Sequence, residues 1–338
     1  MQRLGLVIIA AARYTALGLL LALYALMRGS QYLENGFPPN AHMRLSATPV
    51  RLDSADPQRT RLGALEYQGG WILRSDVPQF GGLSSLHVDG DGFTGLSDTG
   101  LLATWRFDGH HPPRDAAVKP LPPGCLVNAR SKASRDSESM AIDPEHGQAW
   151  VGLEGRSRIC RYDAGFTRLA AMNIAPQMAH WPVNGGPESM VRLPDGRFIV
   201  LCEDVPEGEP ARPVLIFDRD PTDPRVRVTQ MYYDAPDDFS PSDMARLPDG
   251  RLVVLNRVFT PPRHLFRTIV SLIEPFAVKA GAHIKPKVLA RFDPPFITDN
   301  FEALSITTEH GVPMLWLMSD DNYMDFQRTF LLKFAFRG

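Results

Sequence analysis

The sequence predicts an all-β fold: a β-propeller of five four-stranded blades, closed by N-terminal strands and preceded by a hydrophobic targeting helix. Three observations carry this expectation. The phrase GPESMVRLPDGRFIVL at 186–201 returns as SPSDMARLPDGRLVVL at 240–255, and looser versions begin at residues 81, 136 and 299. Each version is a short apolar run, a turn built from DGDG, PEHG, PDGR or TEHG, and a second apolar run, which is the grammar of an antiparallel hairpin. Beyond residue 30 no helical periodicity is sustained, and thirty prolines disfavour a parallel α/β core.

Taken in chain order, residues 1–30 come first and differ from the rest. They hold three arginines, no acid, and an apolar stretch from Leu4 to Met27 interrupted by Arg13. With Arg3 and Arg13 as a basic flank, Tyr14 to Met27 suits the apolar part of a signal peptide. Read whole, the stretch is long enough for a membrane anchor in which a central arginine costs about 2.5–3.5 kcal/mol. Both readings place the protein outside the cytoplasm, in the periplasm or anchored to the inner membrane facing it. Contact with a membrane is expected only through this segment. Residues 31–42 form a linker, and 43–338 the propeller domain.

Aligning Ser84, Glu138, Glu188, Ser242 and Glu302 gives units of 50 to 60 residues. Each has room for the hairpin and two further strands, visible as SRICRYD, PVLIFDRD, RTIVSLIE and RTFLLKFAF. One such sheet cannot bury both of its faces and must stack on its neighbours. Few residues follow Glu302, so the last blade is expected to borrow its outer strand from MRLSATPVRLD or LGALEYQGGWIL; a sixth blade stays open if residues 43–78 form more than closing strands.

Composition narrows the function. At 44% hydrophobic, 22% charged and a net charge of −2, the chain is ordinary globular material with no basic footprint for nucleic acid. Cys125, Cys160 and Cys202 are too few and scattered for a disulfide framework or metal cluster; packed thiols are expected, with a single bridge left open. No GxSxG elbow supports a serine nucleophile.

Hairpin geometry locates the chemistry. The residue entering the first strand and the residue leaving the second lie side by side. Ser84, Glu138, Glu188, Asp243 and Glu302 therefore meet Asp98, Glu154, Glu203 with Asp204, Asn256 with Arg257, and Asp320 with Asp321 and Asn322. If the first strands are innermost, these pairs ring one mouth of the channel. Carboxylates this close call for a bound cation, shared protons or interleaved arginines. Oxygen ligands without cysteine or clustered histidine favour Ca²⁺, with Mg²⁺ second. The expected ligands are Glu138, Glu188, Asp243, Glu302, Asp320 and Asp321. Arg156 and Arg257 leave their hairpins at the same mouth, and Arg130, Lys132 and Arg135 precede Glu138 in NARSKASRDSE as candidate substrate-binding cations. An acid beside a strand start also serves as a turn cap, and that reading stands beside the functional one for each residue.

The segments QFGGLSSL, GLSDTG, DSESMAID, GPESMVRL, DNFEAL and MSDDNYMDFQRTFLLKF together resemble the exported phytase-like, or "esterase-like activity of phytase", domain family over roughly residues 65–338. The resemblance implies hydrolysis of phosphoric or carboxylic esters of small molecules and falls on Glu138, Glu188, Glu302, Asp320 and Asp321; from the hairpin geometry, Arg156 or Arg257 is expected to neutralise the developing charge beside catalytic Glu138, Glu188 and Glu302. The chain departs from the family at Ser242-Asp243, where a glutamate is expected, and at SSL, where Ser-Gly is usual. The alternatives carried forward are a calcium-dependent lactonase or arylesterase and a non-catalytic envelope propeller, each as a monomer.

Overall fold

The structure, a computed structural model, describes residues 41–125, 135–155, 157–260 and 264–338. The targeting segment and most of the linker lie outside the described residues. The rest forms five sheets. From the centre outward, blade 1 runs Leu83–Asp89, Gly92–Ser97, Leu101–Arg106 and Arg114–Pro120, and blade 2 runs Ser137–Ile142, Ala149–Leu153, Arg158–Tyr162 and Leu169–Asn173. Blade 3 is Pro187–Arg192, Phe198–Cys202, Arg212–Phe217 and Val228–Tyr233; blade 4 is Ser240–Arg246, Leu252–Thr260, His264–Ile273 and Lys287–Phe292. Blade 5 contributes Phe301–Glu309, Val312–Ser319 and Thr329–Phe336, then takes Leu65–Ser75 as its fourth strand and Leu45–Pro49 as its fifth.

That borrowing settles the number of blades at five. Both N-terminal candidates close blade 5, with Leu331 opposite Trp71 and Ala47 opposite Leu73, and residues 43–78 build no sheet of their own. The sheets are wider than four strands in three places. Ala41–His42 covers the edge of blade 1, His283–Ile284 adds in parallel to blade 3, and Arg61–Leu62 pairs with the borrowed strand in blade 5. An exposed sheet edge invites unwanted pairing, and these short additions cap it.

The repeat is apolar on both faces of its strands because each blade packs against two others. In Phe198–Cys202, the residues Phe198, Val200 and Cys202 enter a cluster with Trp150 and Ile159 of blade 2, while Ile199 and Leu201 enter one with Met244 and Val254 of blade 4. Five such clusters fill the five seams. The five innermost strands touch in cyclic order, blade 5 returning to blade 1. That last seam is rich in large rings: Trp316 meets Phe93 edge-on at 5.1 Å, and Phe93 stacks on Trp105 at 5.2 Å.

The hairpin turns follow the expected chemistry. In the first PDGR, Asp195 accepts the Arg197 amide at 3.1 Å while Gly196 takes φ +85°, a backbone region open to glycine without strain. Of the two cysteine expectations, the favoured packed thiols are corrected in favour of the single bridge. Cys125 and Cys160 form a disulfide across 35 residues with Cα atoms 6.2 Å apart, and only Cys202 is a buried thiol. The pairing was hidden because the two residues meet only once the end of blade 1 packs on the third strand of blade 2.

Candidate functional site

In all five innermost strands the pairing register slips at the same repeat position. Leu83 and Ser85 face consecutive residues Ser97 and Leu96, and the same happens around Glu138, Glu188, Ser242 and Glu302. Ser84, Glu138, Glu188, Ser242 and Glu302 are each the extra residue of a β-bulge, a device that re-aims a side chain out of the pleat. The residue leaving the second strand lies across from the residue two before the bulge. The Asp98, Glu154, Glu203 and Asp320 amides donate to the carbonyls of Gly82, Asp136, Gly186 and Asn300, and Arg257 lies opposite Ser240. Entering and leaving residues therefore share one end of the ring, as the hairpin argument requires.

Two arcs of the mouth differ in how their acids are used. In blades 4, 5 and 1 they are largely brackets. Asp243 accepts the Met244 amide at 2.8 Å and, across the seam, the Leu304 amide at 2.7 Å, while Ser242 donates to the Phe301 carbonyl at 3.1 Å. Asp321 accepts the Gly82 amide at 3.0 Å from blade 1, the Tyr323 amide and the Thr329 hydroxyl. Asp320 caps Asn322 at 2.6 Å. Burial raises all three carboxyls; for Asp320 the charges of Glu302, Asp98 and Asp321 add to it, and for Asp243 the two amides only partly oppose it. The absent glutamate of blade 4 thus has a structural reason: its serine and aspartate tie blade 4 to blade 5.

Blades 2 and 3 present the other arc. Oxygens of Asp136, Glu138 and Glu154 lie within 4.8 Å of one another, and so do oxygens of Glu154, Glu188 and Glu203. Glu138 is 8% and Glu188 4% exposed, and neither carboxylate has a hydrogen bond or ion pair among the described residues. Glu154 is anchored instead, with Oε1 accepting the Gly185 and Gly186 amides. Gly185 at φ +131° and the lack of a side chain at Gly186, where a Cβ would sit 3.2 Å from Glu154, permit that approach.

Burial drives the electrostatics here. It raises the Glu138 carboxyl well above the usual range, helped by Asp136, Glu154, Glu302 and Asp98. It raises Glu188, helped by Glu203, Glu138 and Glu154 against Arg257, and lifts Glu154 to about 8. Arg257 stands between the arcs, 3.0 Å from Glu203 Oε1 and 3.1 Å from Glu302 Oε1, the second being a charge contact whose N–H direction misses hydrogen-bond alignment. Burial works against its charge, but Glu302, Glu203, Glu188 and Glu138 together hold the guanidinium above its ordinary pKa. Asn300 Nδ2 steadies Glu302 at 2.8 Å.

The structure thus brings Glu138, Glu188, Glu302 and Arg257 to one mouth, with Asp320 nearby, and puts Asp243 and Asp321 into seam brackets. Arg135 is buried, with Gly100 of blade 1 against it. Arg130, Lys132 and Arg156 lie outside the described residues. Asp136, Glu154 and Glu203 were not among the expected ligands. Their signal was the repeat alignment, since Asp136 stands two before a bulge and the other two leave their hairpins there.

The fold and the acidic mouth define the class: an all-β five-bladed propeller with a carboxylate-lined end. The chain belongs to the phytase-like family, described as esterase-like activity of phytase, which it matches over residues 78–323. No curated protein shows significant sequence similarity to it. Among solved structures it is similar to the allergen Mala s 1 of Malassezia sympodialis, with 12% identity, 86% of this chain and 96% of that one covered, and a TM-score of 0.44. It is also similar to the PQQ-bound aldose sugar dehydrogenase of Streptomyces coelicolor (11%, 79% and 97%, 0.45) and the glutaminyl cyclase of Myxococcus xanthus (9%, 76% and 92%, 0.43). At these scores they carry no argument about activity.

Proposed function

We propose that the protein is an exported, calcium-dependent hydrolase of small-molecule phosphoric or carboxylic esters, working as a monomer at the channel mouth. The observation that carries this reading is the convergence of carboxylates from blades 2 and 3 in two overlapping groups, each with oxygens within 4.8 Å, two of them buried without side-chain partners among the described residues. The donor set fits a hard divalent cation: all oxygen, several carboxylates, no sulfur or imidazole. Glu138, Glu154, Glu188 and Glu203 would hold the ion, which would supply a Lewis acid for polarising a phosphoryl or acyl oxygen. The chain's own groups do the rest. The Gly185 and Gly186 amides fix Glu154, Arg257 holds Glu203 and Glu302 in place, and Glu138 and Glu188 take up or release protons as the site empties or fills.

Export is supported by the composition of residues 1–30 and by the Cys125–Cys160 bridge, since disulfides persist in oxidising compartments. A lactonase or arylesterase reading has one observation in its favour. Val183 and Val205, 65% and 45% exposed, flank Gly185 and Asp204, which touch beside Glu154. Purified protein assayed on p-nitrophenyl phosphate, bis-p-nitrophenyl phosphate, phytate, short esters and lactones, with Ca²⁺ and with chelator, tests the proposal. Chelator-sensitive turnover is expected. Absence of turnover on every substrate, together with no heat of Ca²⁺ binding, would sink it in favour of a non-catalytic envelope propeller.

A further inference from the structure

We infer that the mouth holds two divalent cations side by side, with Glu154 as the carboxylate common to both. This rests on the cation-dependent reading above and goes beyond it. The ligand oxygens form two groups that overlap at one residue: Asp136, Glu138 and Glu154 from blade 2, and Glu154, Glu188 and Glu203 spanning blades 2 and 3. A carboxylate has two oxygens and can serve two ions at once, the arrangement of two-metal hydrolytic sites.

Each group contains its own orphan. Glu138 belongs only to the first and Glu188 only to the second, and both residues, 8% and 4% exposed, have no side-chain hydrogen bond or ion pair among the described residues. A buried ionised carboxylate without a partner is costly, so each group separately calls for a cation. Among the described residues Arg257 pairs with this set at Glu203 and is itself shared with Glu302, so its one charge is divided between two acids. Glu203 keeps a second oxygen after Oε1 meets Arg257.

The repeat explains why only this pair of blades does it. Glutamates occupy the bulge positions of adjacent blades only at 138 and 188; Ser242 interrupts the series on one side and Ser84 on the other. Glu154, leaving blade 2, is carried toward blade 3, where the Gly185 and Gly186 amides hold it between the two bulges.

Isothermal titration of the full-length chain in mild detergent, first stripped with chelator, tests the inference with Ca²⁺ alone. Two ions per chain are expected. Asp136→Asn and Glu203→Gln should each remove one and leave the other, and Glu154→Gln should weaken both at least tenfold. Loading with Mn²⁺ adds a spectroscopic arm: ions sharing a carboxylate give an exchange-coupled resonance signal, not two isolated six-line patterns. Circular dichroism and melting curves verify that each variant is folded. One ion per chain, or two uncoupled ions indifferent to Glu154→Gln, overturns the inference and leaves the cation-dependent reading standing. No bound ion overturns both.

Discussion

Replacing Glu188 by glutamine should have opposite effects with and without calcium, because the same charge is a burden to the empty site and a ligand to the filled one. Glu188 shares its group with Glu154 and Glu203 within 4.8 Å. At an effective dielectric constant of about 20, each ionised pair at that distance repels by about 3 kcal/mol. Arg257 offsets part of this through Glu203. The amide is as unpartnered as the carboxylate it replaces, so the hydrogen-bonding cost nearly cancels. Metal-free Glu188→Gln should gain up to about 3 kcal/mol as alkaline pH ionises the cluster, a rise in melting temperature of roughly 5 °C. Burial raises the Glu188, Glu154 and Glu203 carboxyls, so the gain should shrink as pH falls from 9 to 5. With saturating Ca²⁺ the order reverses: a lost ligand weakens binding at least tenfold, about 1.4 kcal/mol of the stabilisation that ligand binding gives the wild type. Scanning calorimetry at both pH values, with calcium and with chelator, reads all four states. A metal-free variant that melts at or below the wild type at pH 9 refutes the idea that these carboxylates crowd one another.

The other expectations concern pH, seams and charge. Glu154 has its folded pKa raised to about 8 from 4.5 and Asp299 to about 6 from 3.8, both chiefly by burial. Their stabilising contribution is complete below the unfolded values and disappears as pH climbs through the folded ones. Metal-free stability should therefore fall between about pH 4 and 8, and calcium should flatten that decline; urea melts across the range check it. Asp321→Ala removes the acceptor of the Gly82 and Tyr323 amides and the Thr329 hydroxyl at the 5–1 seam, so it should cost about 3 kcal/mol in denaturant melts while calcium stoichiometry is unchanged. Cys125→Ser with Cys160→Ser opens a closed loop of 35 residues and should cost about 3–4 kcal/mol by the chain-entropy relation; a denaturation curve indifferent to reductant in the wild type contradicts it. Arg257→Gln strands Glu203 and Glu302 without their cation, so it should destabilise the metal-free protein by about 3–5 kcal/mol, a loss partly recovered in calcium.

Much of this molecule was legible in one dimension because a propeller writes its repeat into the chain. The recurring hairpin phrase fixed the blade, its period fixed their spacing, and strands apolar on both faces implied stacking on two sides. The shortness of the chain after Glu302 required a borrowed strand, and both N-terminal candidates supply one to blade 5. Side-by-side entry and exit at a hairpin end depend only on antiparallel pairing, so the meeting of Glu138, Glu188, Glu302 and Arg257 at one mouth could be read from spacing. Which acids are spoken for could not. Asp243 and Glu188 look alike as strand-entry carboxylates, yet one accepts amides of its own and the next blade while the other is buried with no hydrogen bond to its carboxylate among the described residues. That distinction rests on a one-residue bulge and on a hydrogen bond across a seam between segments some sixty residues apart. The same is true of Asp136 and of Cys125 with Cys160. Local sequence sets turns, strands and the order of blades, because those depend on near neighbours in the chain. The partnering of a buried charge depends on what the ring brings opposite it, and only the closed ring decides that.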